Sequence, residues 1–247
     1  MDLAQLARIP EALDSLNPAA VVNCAAYTKV DHAESEEVLA TLINGEAVGV
    51  IADWSERRSR PFLTFSTDYV FSGEDTEPYL ESSVTDPINA YGRSKLVGED
   101  LALARGALVV RTSWVISGTH PNFVSTMVRR AATENLHVVN DQLGSPTVAS
   151  DLAQASLQAL DSGATGLLHL TNSGVTTWFD LARTAVELAG IDPERISPCS
   201  TDDYPTPAKR PAYSVLRSER LDSFGLDKMP EWQESLRSLV AELSSWI

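Results

Sequence analysis

The sequence predicts an α/β fold built on a doubly wound parallel sheet, and three observations lead to that class. Short apolar runs alternate with helical segments of about 10 to 15 residues, which is the rhythm of parallel βαβ units. The apolar runs are continuous rather than alternating, as in strands that helices cover on both faces. The chain has 247 residues, of which 43% are hydrophobic and 21% charged, so it can bury a full core. We therefore expect a Rossmann-like sheet followed by a smaller C-terminal α/β lobe.

Each predicted element follows from its apolar pattern. Continuous apolar runs predict strands at 19–26, 62–65, 107–110, 136–139 and 166–170. Apolar residues at helical spacing predict helices at 3–16, 91–104, 122–132, 148–160, 177–188 and 232–243, and one or two helices over 31–52. The proline-rich run 204–211 fits neither a helix nor a central strand and predicts an extended loop. The alternation loosens after Trp114, and we expect one domain over 1–135 and a smaller lobe over 136–247, with the chain crossing between them.

Composition and charge exclude several function classes. The net charge is −15 and the sequence pI is about 4.6, which disfavours electrostatic binding to nucleic acid or to anionic membranes. No apolar stretch approaches the roughly 20 residues that cross a bilayer. Two cysteines occur, and Cys24 lies in an apolar run that predicts a small buried residue. This cysteine usage favours a reducing cytoplasm.

The stretch from Ser66 to Lys95 carries the chemistry. Ser66 and Thr67 follow the apolar run at 62–65, so they are expected at the carboxyl end of a strand, where open α/β sheets bind ligands. Tyr91 and Lys95 are four residues apart and share one face of a helix. A nearby ammonium favours the phenolate, and Thr67 adds a hydroxyl, so the three groups suit polarisation of a carbonyl for hydride attack. Alternatively, Tyr-x-x-x-Lys is a chance pattern on a surface helix.

Three further positions leave alternatives open. Cys24, Ala25 and Ala26 form a run of small residues at the exit of the predicted strand 19–26, which suits either a flat ligand or tight helix packing. Asn44 lies midway in the predicted helix 31–52 and is expected either in solvent or reaching the sheet edge. Trp114, just past the strand at 107–110, predicts either plain core or a stacking platform for a ring.

Six runs of residues together carry a family resemblance. They read Val-Asn-Cys-Ala-Ala-Tyr-Thr-Lys-Val-Asp at 22–31, Ser-Thr-Asp-Tyr-Val-Phe at 66–71, Tyr-Gly-Arg-Ser-Lys at 91–95, Arg-Thr-Ser-Trp-Val at 111–115, Asp-Gln-Leu-Gly-Ser-Pro-Thr at 141–147 and Tyr-Pro-Thr-Pro-Ala-Lys-Arg-Pro at 204–211. In this order, and over essentially the whole chain, they resemble the dTDP-4-dehydrorhamnose reductases, which are extended short-chain dehydrogenase/reductases. The resemblance implies a Rossmann-like NADP-binding domain over 1–135 and a mainly substrate-binding lobe over 136–247.

The resemblance also implies a reaction and its catalytic residues. The reaction is the reduction of dTDP-4-dehydro-L-rhamnose to dTDP-L-rhamnose by hydride transfer from NADPH, the last step of dTDP-rhamnose synthesis for cell-surface polysaccharide. Tyr91 would donate a proton to the C4 carbonyl oxygen, and Thr67 would orient that carbonyl. Lys95 would hold the nicotinamide ribose and lower the pKa of Tyr91.

Binding residues are implied in the same way. The residues implied to bind the cofactor are Asp2, Leu3, Ala26, Tyr27, Thr28, Asn44, Tyr91 and Lys95. The residues implied to bind the dTDP-sugar substrate are Thr67, Asp68, Tyr69, Trp114 and Arg210, the last beside the nucleotide diphosphate, where a guanidinium suits an anion. No residue is singled out as a metal ligand, although some similar enzymes hold Mg²⁺ at a dimer contact. The resemblance is therefore compatible with bound Mg²⁺, with a homodimer, and with NADH as well as NADPH as the hydride donor.

One departure from the family pattern concerns the cofactor phosphates. A dinucleotide-binding fold of this type begins with a strand and a glycine-rich turn that cradles the pyrophosphate at a helix N-terminus. The glycines nearest the start are Gly45 and Gly49, both inside the predicted helix 31–52. We therefore expect an N-terminally truncated sheet. Three explanations are open: a misassigned gene start or a fragment of a complete enzyme, a genuinely shortened protein, or a separate chain that supplies the missing piece. Expressed alone, the chain is expected to be poorly soluble and to bind NADPH weakly.

Two other functions remain open at this point. One is a non-catalytic regulatory protein of the same fold, similar to the regulatory subunit of methionine adenosyltransferase. The other is a reductase of a different nucleotide 4-keto sugar. The intact Thr67, Tyr91 and Lys95, together with Arg-Thr-Ser-Trp at 111–114, favour a reductase over the regulatory protein.

Overall fold

The fold is an α/β structure with one main sheet and several short strand pairs. The computed structural model describes residues 1–243, so residues 244–247 of the predicted C-terminal lobe lie outside it. The strands are β1 (Val21–Asn23), β2 (Phe62–Thr67), β3 (Leu108–Thr112), β4 (Val115–Ile116), β5 (Leu136–Val139), β6 (Leu143–Gly144), β7 (Thr147–Val148), β8 (Gly166–His169), β9 (Asn172–Ser173), β10 (Thr176–Thr177), β11 (Ile196–Cys199) and β12 (Met229–Glu231).

Nine α-helices are present among residues 1–243. They are α1 (Arg8–Leu16), α2 (Val30–Ala33), α3 (Glu37–Thr41), α4 (Ala47–Arg57), α5 (Ala90–Leu103), α6 (Phe123–Ala131), α7 (Ala149–Asp161), α8 (Trp178–Leu188) and α9 (Trp232–Leu243). A π-helical turn, Leu42–Glu46, joins α3 to α4, and short 3₁₀ turns cover Asp68–Val70, Pro193–Arg195 and Leu221–Phe224. None of the helices in the described range is long and apolar enough to cross a membrane.

The main sheet is parallel and has the strand order β1-β2-β3-β8. Because all four strands run the same way, their carboxyl ends lie at one edge of the sheet, where open α/β sheets place ligands. Register pairs Ser66 with Arg111 and Thr67 with Thr112. The end of β2 therefore meets the end of β3 at this edge.

Helices cover both faces of the main sheet. Helices α1, α4 and α5 bury an apolar cluster against one face, with Ile9, Val48 and Ala102 packed around Val109. Helix α7 covers the other face, where Leu152 packs with Val110. The doubly wound architecture predicted from the continuous apolar strands is thus confirmed.

The C-terminal part of the chain builds a smaller lobe and also completes the main sheet. Strands β5 and β11 pair in parallel, and α6 and α8 pack on them. Helix α9 adds Leu236 and Leu239 to a second cluster with α6 and α8. By contrast β8, which lies beyond residue 135, belongs to the main sheet. The division at residues 135 and 136 stays a prediction.

Several sequence-based boundaries differ from the structure. The predicted helix 31–52 is divided into α2, α3, the π-helical turn and α4, and the predicted helix 3–16 begins only at Arg8. The predicted strand 19–26 is only β1, three residues long. Cys24, expected to be buried, is exposed. Its position explains the error, because it follows β1, the outer strand of the sheet, which has a neighbour on one side only.

Candidate active site

The candidate active site lies where the carboxyl end of β2 meets the first turns of α5. Thr67 is the last residue of β2, and Tyr91 and Lys95 lie in the first two turns of α5. Asn89 caps α5 by accepting a hydrogen bond from the Gly92 N–H at 2.8 Å. A Cβ at position 92 would lie 2.1 Å from the Tyr69 carbonyl oxygen, so only glycine allows the helix to approach the 3₁₀ turn this closely. The predicted pairing of strand end and helix is confirmed.

Thr67 connects the side chains of this site. Its hydroxyl donates to Asp68 Oδ1 at 3.0 Å and accepts from the Tyr69 N–H at 3.2 Å. The Tyr91 phenol lies close enough to this hydroxyl for Thr67 to act on its pKa. Thr67 is 6% exposed and Tyr91 is half-buried. The phenol of Tyr91 is thus held against the strand end by a hydroxyl that is itself fixed.

The pKa of Tyr91 is raised rather than lowered. Burial is the largest cause, the negative charge of Asp68 adds to it, and the hydrogen bond from Thr67 opposes both, so that the pKa of Tyr91 lies at about 12. Lys95 does not contribute to this shift, and its ammonium donates to the Phe65 carbonyl oxygen at 2.6 Å. That Lys95 lowers the pKa of Tyr91 stays a prediction. With a pKa of about 12, Tyr91 is protonated at neutral pH.

Lys95 is a buried ammonium with only a few polar neighbours. It is 5% exposed, and burial lowers its pKa to about 8, against the opposing attraction of Glu99. Since burial penalises the charged form, the side chain is charged below about pH 8 and loses its charge above it. At neutral pH the site contains a phenol and an ammonium, the combination that the sequence predicts.

Asp68 is a carboxylate at the floor of the site. It is 2% exposed, and burial raises its pKa to about 6, while hydrogen bonds from the Ser214 and Thr67 hydroxyls act in the opposite direction. Above about pH 6 it is ionised. Sequence reasoning did not find Ser214, because its only signal is a position in the loop after the proline-rich run.

Tyr69 packs against Tyr91. The two rings meet edge to face, with centroids 5.9 Å apart and planes at 83°. Burial raises the pKa of Tyr69, the charge of Asp68 raises it further, and the charge of Arg210 opposes them. Asp68 and Arg210 therefore both lie within electrostatic range of Tyr69, and their predicted contact with the substrate stays a prediction.

The proline-rich segment 204–211, called the strap below, crosses the site. Hydrogen bonds hold it at two positions, Asp31 and Asn89. Arg210 Nη2 donates to Asp31 Oδ2 at 3.0 Å, and the Ala208 N–H donates to Asp31 Oδ1 at 3.1 Å. The Asn89 side chain donates to the Lys209 carbonyl oxygen at 2.9 Å. The guanidinium of Arg210, expected beside a diphosphate, is paired with Asp31 in this structure. Asp31 and Asn89 were not singled out from the sequence.

Asn44 reaches the sheet edge, the rarer of its two expected positions. It is 1% exposed and lies in the π-helical turn, an irregularity that often marks functional positions. Its Oδ1 accepts from the Tyr27 N–H at 2.8 Å, and its Nδ2 donates to the Tyr27 carbonyl at 3.0 Å and to Ser94 Oγ at 2.9 Å. Asn44 thus fixes the backbone of loop 26–28 to α5. The Tyr27 phenol itself bonds to Glu36.

Trp114 is held in a strained conformation. Its φ of 46° lies in the left-handed region, which is uncommon for a bulky residue and frequent at functional sites. Its indole stacks on Trp178 with centroids 3.7 Å apart. A Cβ at Gly144 would come within 2.5 Å of the indole, so glycine is needed there. Since the ring is half-buried, Trp114 contributes to the core and also presents part of its surface.

Asp2 and Leu3 lie before α1, away from the groups described above. Asp2 accepts hydrogen bonds from the Ala4 N–H at 3.0 Å and from the Gln5 side chain at 3.2 Å, within its own turn. Leu3 is 8% exposed and its side chain belongs to the apolar cluster under α1 and α4. Their predicted contact with the cofactor stays a prediction.

Neither a metal centre nor a phosphate-cradling turn is found among residues 1–243. No group of three or more His, Cys, Asp or Glu side chains in this range is arranged to hold a metal ion. In the same range no glycine-rich turn precedes β1.

A family model decides the classification. The model described as RmlD substrate binding domain matches residues 1–245 of the chain. The chain belongs to this family. Among its relatives, the dTDP-4-dehydrorhamnose reductase of Mycolicibacterium smegmatis is 45% identical over 227 residues, covering 90% of this chain and 69% of that protein. A probable dTDP-4,6-dihydroxy-2-methyloxan-3-one 4-ketoreductase of Streptomyces antibioticus is 40% identical, covering 98% of this chain and 84% of that protein.

Solved structures of the RmlD family agree with the fold. A Bacillus anthracis dTDP-4-dehydrorhamnose reductase in complex with NADP superposes with a TM-score of 0.94 at 34% identity, covering 98% of this chain and 87% of that one. The resemblance drawn from the six sequence runs and the Rossmann-like α/β class are both confirmed.

The residues at the end of β1 fit the nicotinamide end of such a cofactor. Cys24 and Ala25 are exposed and small, Ala26 and Thr28 follow them, and the backbone of Tyr27 is fixed by Asn44. Lys95 and Tyr91, beside this loop, offer an ammonium and a hydroxyl, the donors that suit ribose hydroxyls. The site therefore accommodates a nicotinamide riboside group on chemical grounds.

Proposed function

We propose that the chain reduces dTDP-4-dehydro-L-rhamnose to dTDP-L-rhamnose with NADPH. The observation that carries the proposal is the Tyr91 phenol beside the Thr67 hydroxyl at the carboxyl end of β2, with Lys95 one helical turn behind. Membership of the RmlD family supports the same reaction. The chain is accordingly an NADP-dependent oxidoreductase of dTDP-rhamnose biosynthesis.

The proton side of the reaction follows from the state of Tyr91. A phenol with a pKa of about 12 is protonated at neutral pH and has a proton to give. NADPH, when bound, supplies the hydride. As the C4 carbonyl carbon is reduced, charge develops on its oxygen, and Tyr91 donates its proton there while Thr67 hydrogen-bonds the same oxygen. The sugar gains one hydride and one proton, which gives the C4 hydroxyl.

Lys95 has two tasks in this proposal. Its ammonium holds the nicotinamide ribose, and its charge favours the phenolate that Tyr91 becomes. In the structure the ammonium bonds to the Phe65 carbonyl, which keeps it at the strand end beside Tyr91. Protonated Lys95 is needed for both tasks.

The remaining residues are assigned by their position around these groups. Those proposed to line the cofactor are Asp2, Leu3, Ala26, Tyr27, Thr28 and Asn44. Those proposed to bind the sugar nucleotide are Asp68, Tyr69, Trp114 and Arg210, with Arg210 acting through the strap as well as by its charge. Burial of Asp68 beside the catalytic phenol supports a contact with a sugar hydroxyl.

Some properties are proposed at a finer level. We propose NADPH rather than NADH as the preferred donor, a homodimer, Mg²⁺ at the dimer contact, and a cytoplasmic location. Free Cys24 and Cys199 suit a reducing compartment. The division into an NADP-binding domain, 1–135, and a substrate lobe, 136–247, is proposed with them.

A second candidate is reduction of another nucleotide 4-keto sugar. It is favoured by the similarity to the Streptomyces antibioticus protein, whose name gives a different keto sugar. Intact Thr67, Tyr91 and Lys95 favour catalysis of either kind over a regulatory protein.

Substrate comparison tests the proposal. NADPH oxidation by the purified chain is followed with dTDP-4-dehydro-L-rhamnose and with other dTDP-4-keto sugars, each at several concentrations. The highest kcat/KM is expected with dTDP-4-dehydro-L-rhamnose. A higher value for another keto sugar would support the second candidate instead.

A further inference from the structure

A buried chain of charged groups begins one helical turn after Lys95. Glu99 lies on α5 and is 2% exposed, and Arg111 lies on β3 and is 3% exposed. Arg111 Nε approaches the two carboxylate oxygens of Glu99 at 2.9 and 3.1 Å, and Nη2 donates to Oε2 at 2.7 Å. The Ser66 hydroxyl also donates to Glu99. Glu99 is therefore a fully bonded carboxylate at the base of the active site.

The same carboxylate faces Lys95. Residues four apart on a helix share a face, and both side chains line one small cavity together with Asn44, Phe65 and Ser66. Arg111 on β3, whose register partner is Ser66 on β2, is bonded to Glu99. Glu99 therefore has one cation bonded to it, Arg111, and a second within electrostatic range, Lys95.

We propose that Glu99 is a positioning residue for the reaction, which shields Lys95 from Arg111 and keeps the lysine charged beside Tyr91. A buried pair of this kind gives little net stability and is strongly destabilising when one partner is removed. Without Glu99, the guanidinium of Arg111 would be an unpaired buried cation near a second cation. The role of the Lys95 charge in catalysis rests on the function proposed above, whereas the effect of Glu99 on the protonation of Lys95 does not.

The surroundings of Lys95 leave Glu99 as its principal counter-charge. On its own helix the titratable neighbours are Tyr91 and Glu99, and past the end of β2 lies Asp68. The π-helical turn and α4 contribute uncharged Asn44 and Val48 to the shared cavity. Asp31 of α2 and Glu37 of α3 are paired with Arg210 and Arg93. Beyond Arg111 lies His169, 3.4 Å from Nη1, with its pKa lowered to about 4 by burial and therefore neutral.

Titration of the lysine tests the proposal without relying on turnover. The chain has four lysines, so ¹³C-labelled lysine gives a simple NMR spectrum, and loss of a signal in Lys95→Arg assigns Lys95. Glu99→Gln is compared with Asp100→Asn, which removes a neighbouring but exposed carboxylate from the same helix. Glu99→Gln is expected to lower the Lys95 midpoint by about 1 pH unit, and Asp100→Asn to leave it in place. An unchanged midpoint in Glu99→Gln, or equal shifts in both variants, would overturn the proposal.

A double variant covers the case in which Glu99→Gln does not fold. Glu99→Gln/Arg111→Met removes both charges and leaves a neutral interior, a change that proteins often tolerate. Because Glu99 stabilises the charged form of Lys95, the midpoint should still fall, and because Arg111 is removed as well, it should fall by less than in the single variant. A midpoint at or above that of the unaltered chain would contradict the proposed shielding.

A kinetic measurement links the charge to catalysis. The alkaline limb of kcat/KM is expected to move to lower pH in Glu99→Gln by the same amount as the NMR midpoint. A uniform loss of activity at every pH, with the limb in place, would mean that Glu99 has a structural role only. If neither the unaltered chain nor the variants turn over, the proposed function fails while the NMR result still decides the role of Glu99.

Discussion

At the scale of single residues, the pKa of Tyr91, the proposed proton donor, is set by burial and by one carboxylate. Tyr91 is an ordinary phenol made less acidic by burial and by the charge of Asp68. The pKa of Asp68 is itself raised to about 6 by burial, so its charge is present at neutral pH and lost on acidification. The phenol therefore keeps its proton at neutral pH and can donate it once charge develops on the substrate oxygen.

Asp68→Asn tests this electrostatic link. Removing the carboxylate is expected to lower the pKa of Tyr91, by about 1 pH unit for a like charge at this range. Tyrosinate absorbance is followed against pH, and the contribution of Tyr91 is isolated by subtracting the Tyr91→Phe curve. Asp86→Asn, in the exposed loop before α5, is the matched control and should change nothing. An identical Tyr91 titration with and without Asp68 would rule out the link.

At the scale of elements, the strap joins the two helices that bracket the site. Asp31 of α2 holds Arg210 and the Ala208 N–H, and Asn89, the cap of α5, holds the Lys209 carbonyl. The loop that precedes α2 is the one proposed to face the cofactor. The strap therefore shares its contacts with α5, the helix that carries Tyr91 and Lys95.

Asp31→Asn is expected to loosen the strap at its cofactor side. The ion pair is partly exposed, so its loss should cost about 1 kcal/mol, which raises KM for the sugar nucleotide about 5-fold and leaves kcat within about 2-fold. Glu37→Gln, which breaks the exposed pair with Arg93 on α5, should leave KM unchanged. A KM for Asp31→Asn equal to that of the control would show that the strap does not need this contact. Faster proteolysis within 204–211 would accompany the expected result.

The elements that the sequence predicts well are those fixed by local pattern. Continuous apolar runs gave the strands of the main sheet, and the spacing of Tyr91 and Lys95 placed both on one helix. For 31–52 the sequence predicts one or two helices but not the π-helical turn, where Asn44 reaches Tyr27 in a contact across 17 residues. The partners Asp31 and Ser214 were missed, since each meets the site only through tertiary folding.

At the scale of the whole molecule, charged groups cross the sheet from α5 to the C-terminal part of the chain. Beyond Arg111 the chain of contacts continues through His169 of β8, whose backbone N–H donates to Glu81 at 2.8 Å. Glu81 also accepts from the Glu219 N–H at 2.9 Å. The outer strand β1 is the less protected side of the same sheet, with Val22 40% exposed. The low solubility and weak NADPH binding expected from the sequence stay predictions.

Buried His169 makes stability depend on pH. Burial lowers its pKa from an ordinary 6.5 to about 4, with attraction from Glu81 opposing. The unfolded chain therefore binds a proton below about pH 6.5 that the folded chain does not, so stability falls as pH drops from 6.5 towards 4. The loss is on the order of 2 kcal/mol.

Urea unfolding at pH 7 and at pH 4.5 measures this contribution. His169→Gln is expected to reduce the difference between the two pH values, although it lowers stability at both. His120→Gln, at an exposed position, should keep the full difference. An equal pH dependence in His169→Gln and in the unaltered chain would place the sensitivity in other groups.

Tyr91→Phe addresses the central claim most directly. The change removes one hydroxyl and leaves the ring and its edge-to-face contact with Tyr69, so the fold and the cofactor site should persist. NADPH oxidation with dTDP-4-dehydro-L-rhamnose is measured beside NADPH affinity, with Tyr204→Phe, an exposed tyrosine of the strap, as the control. Turnover is expected to fall by at least about 100-fold in Tyr91→Phe, with NADPH affinity within about 2-fold. Unchanged turnover would contradict the assignment of Tyr91 as the proton donor.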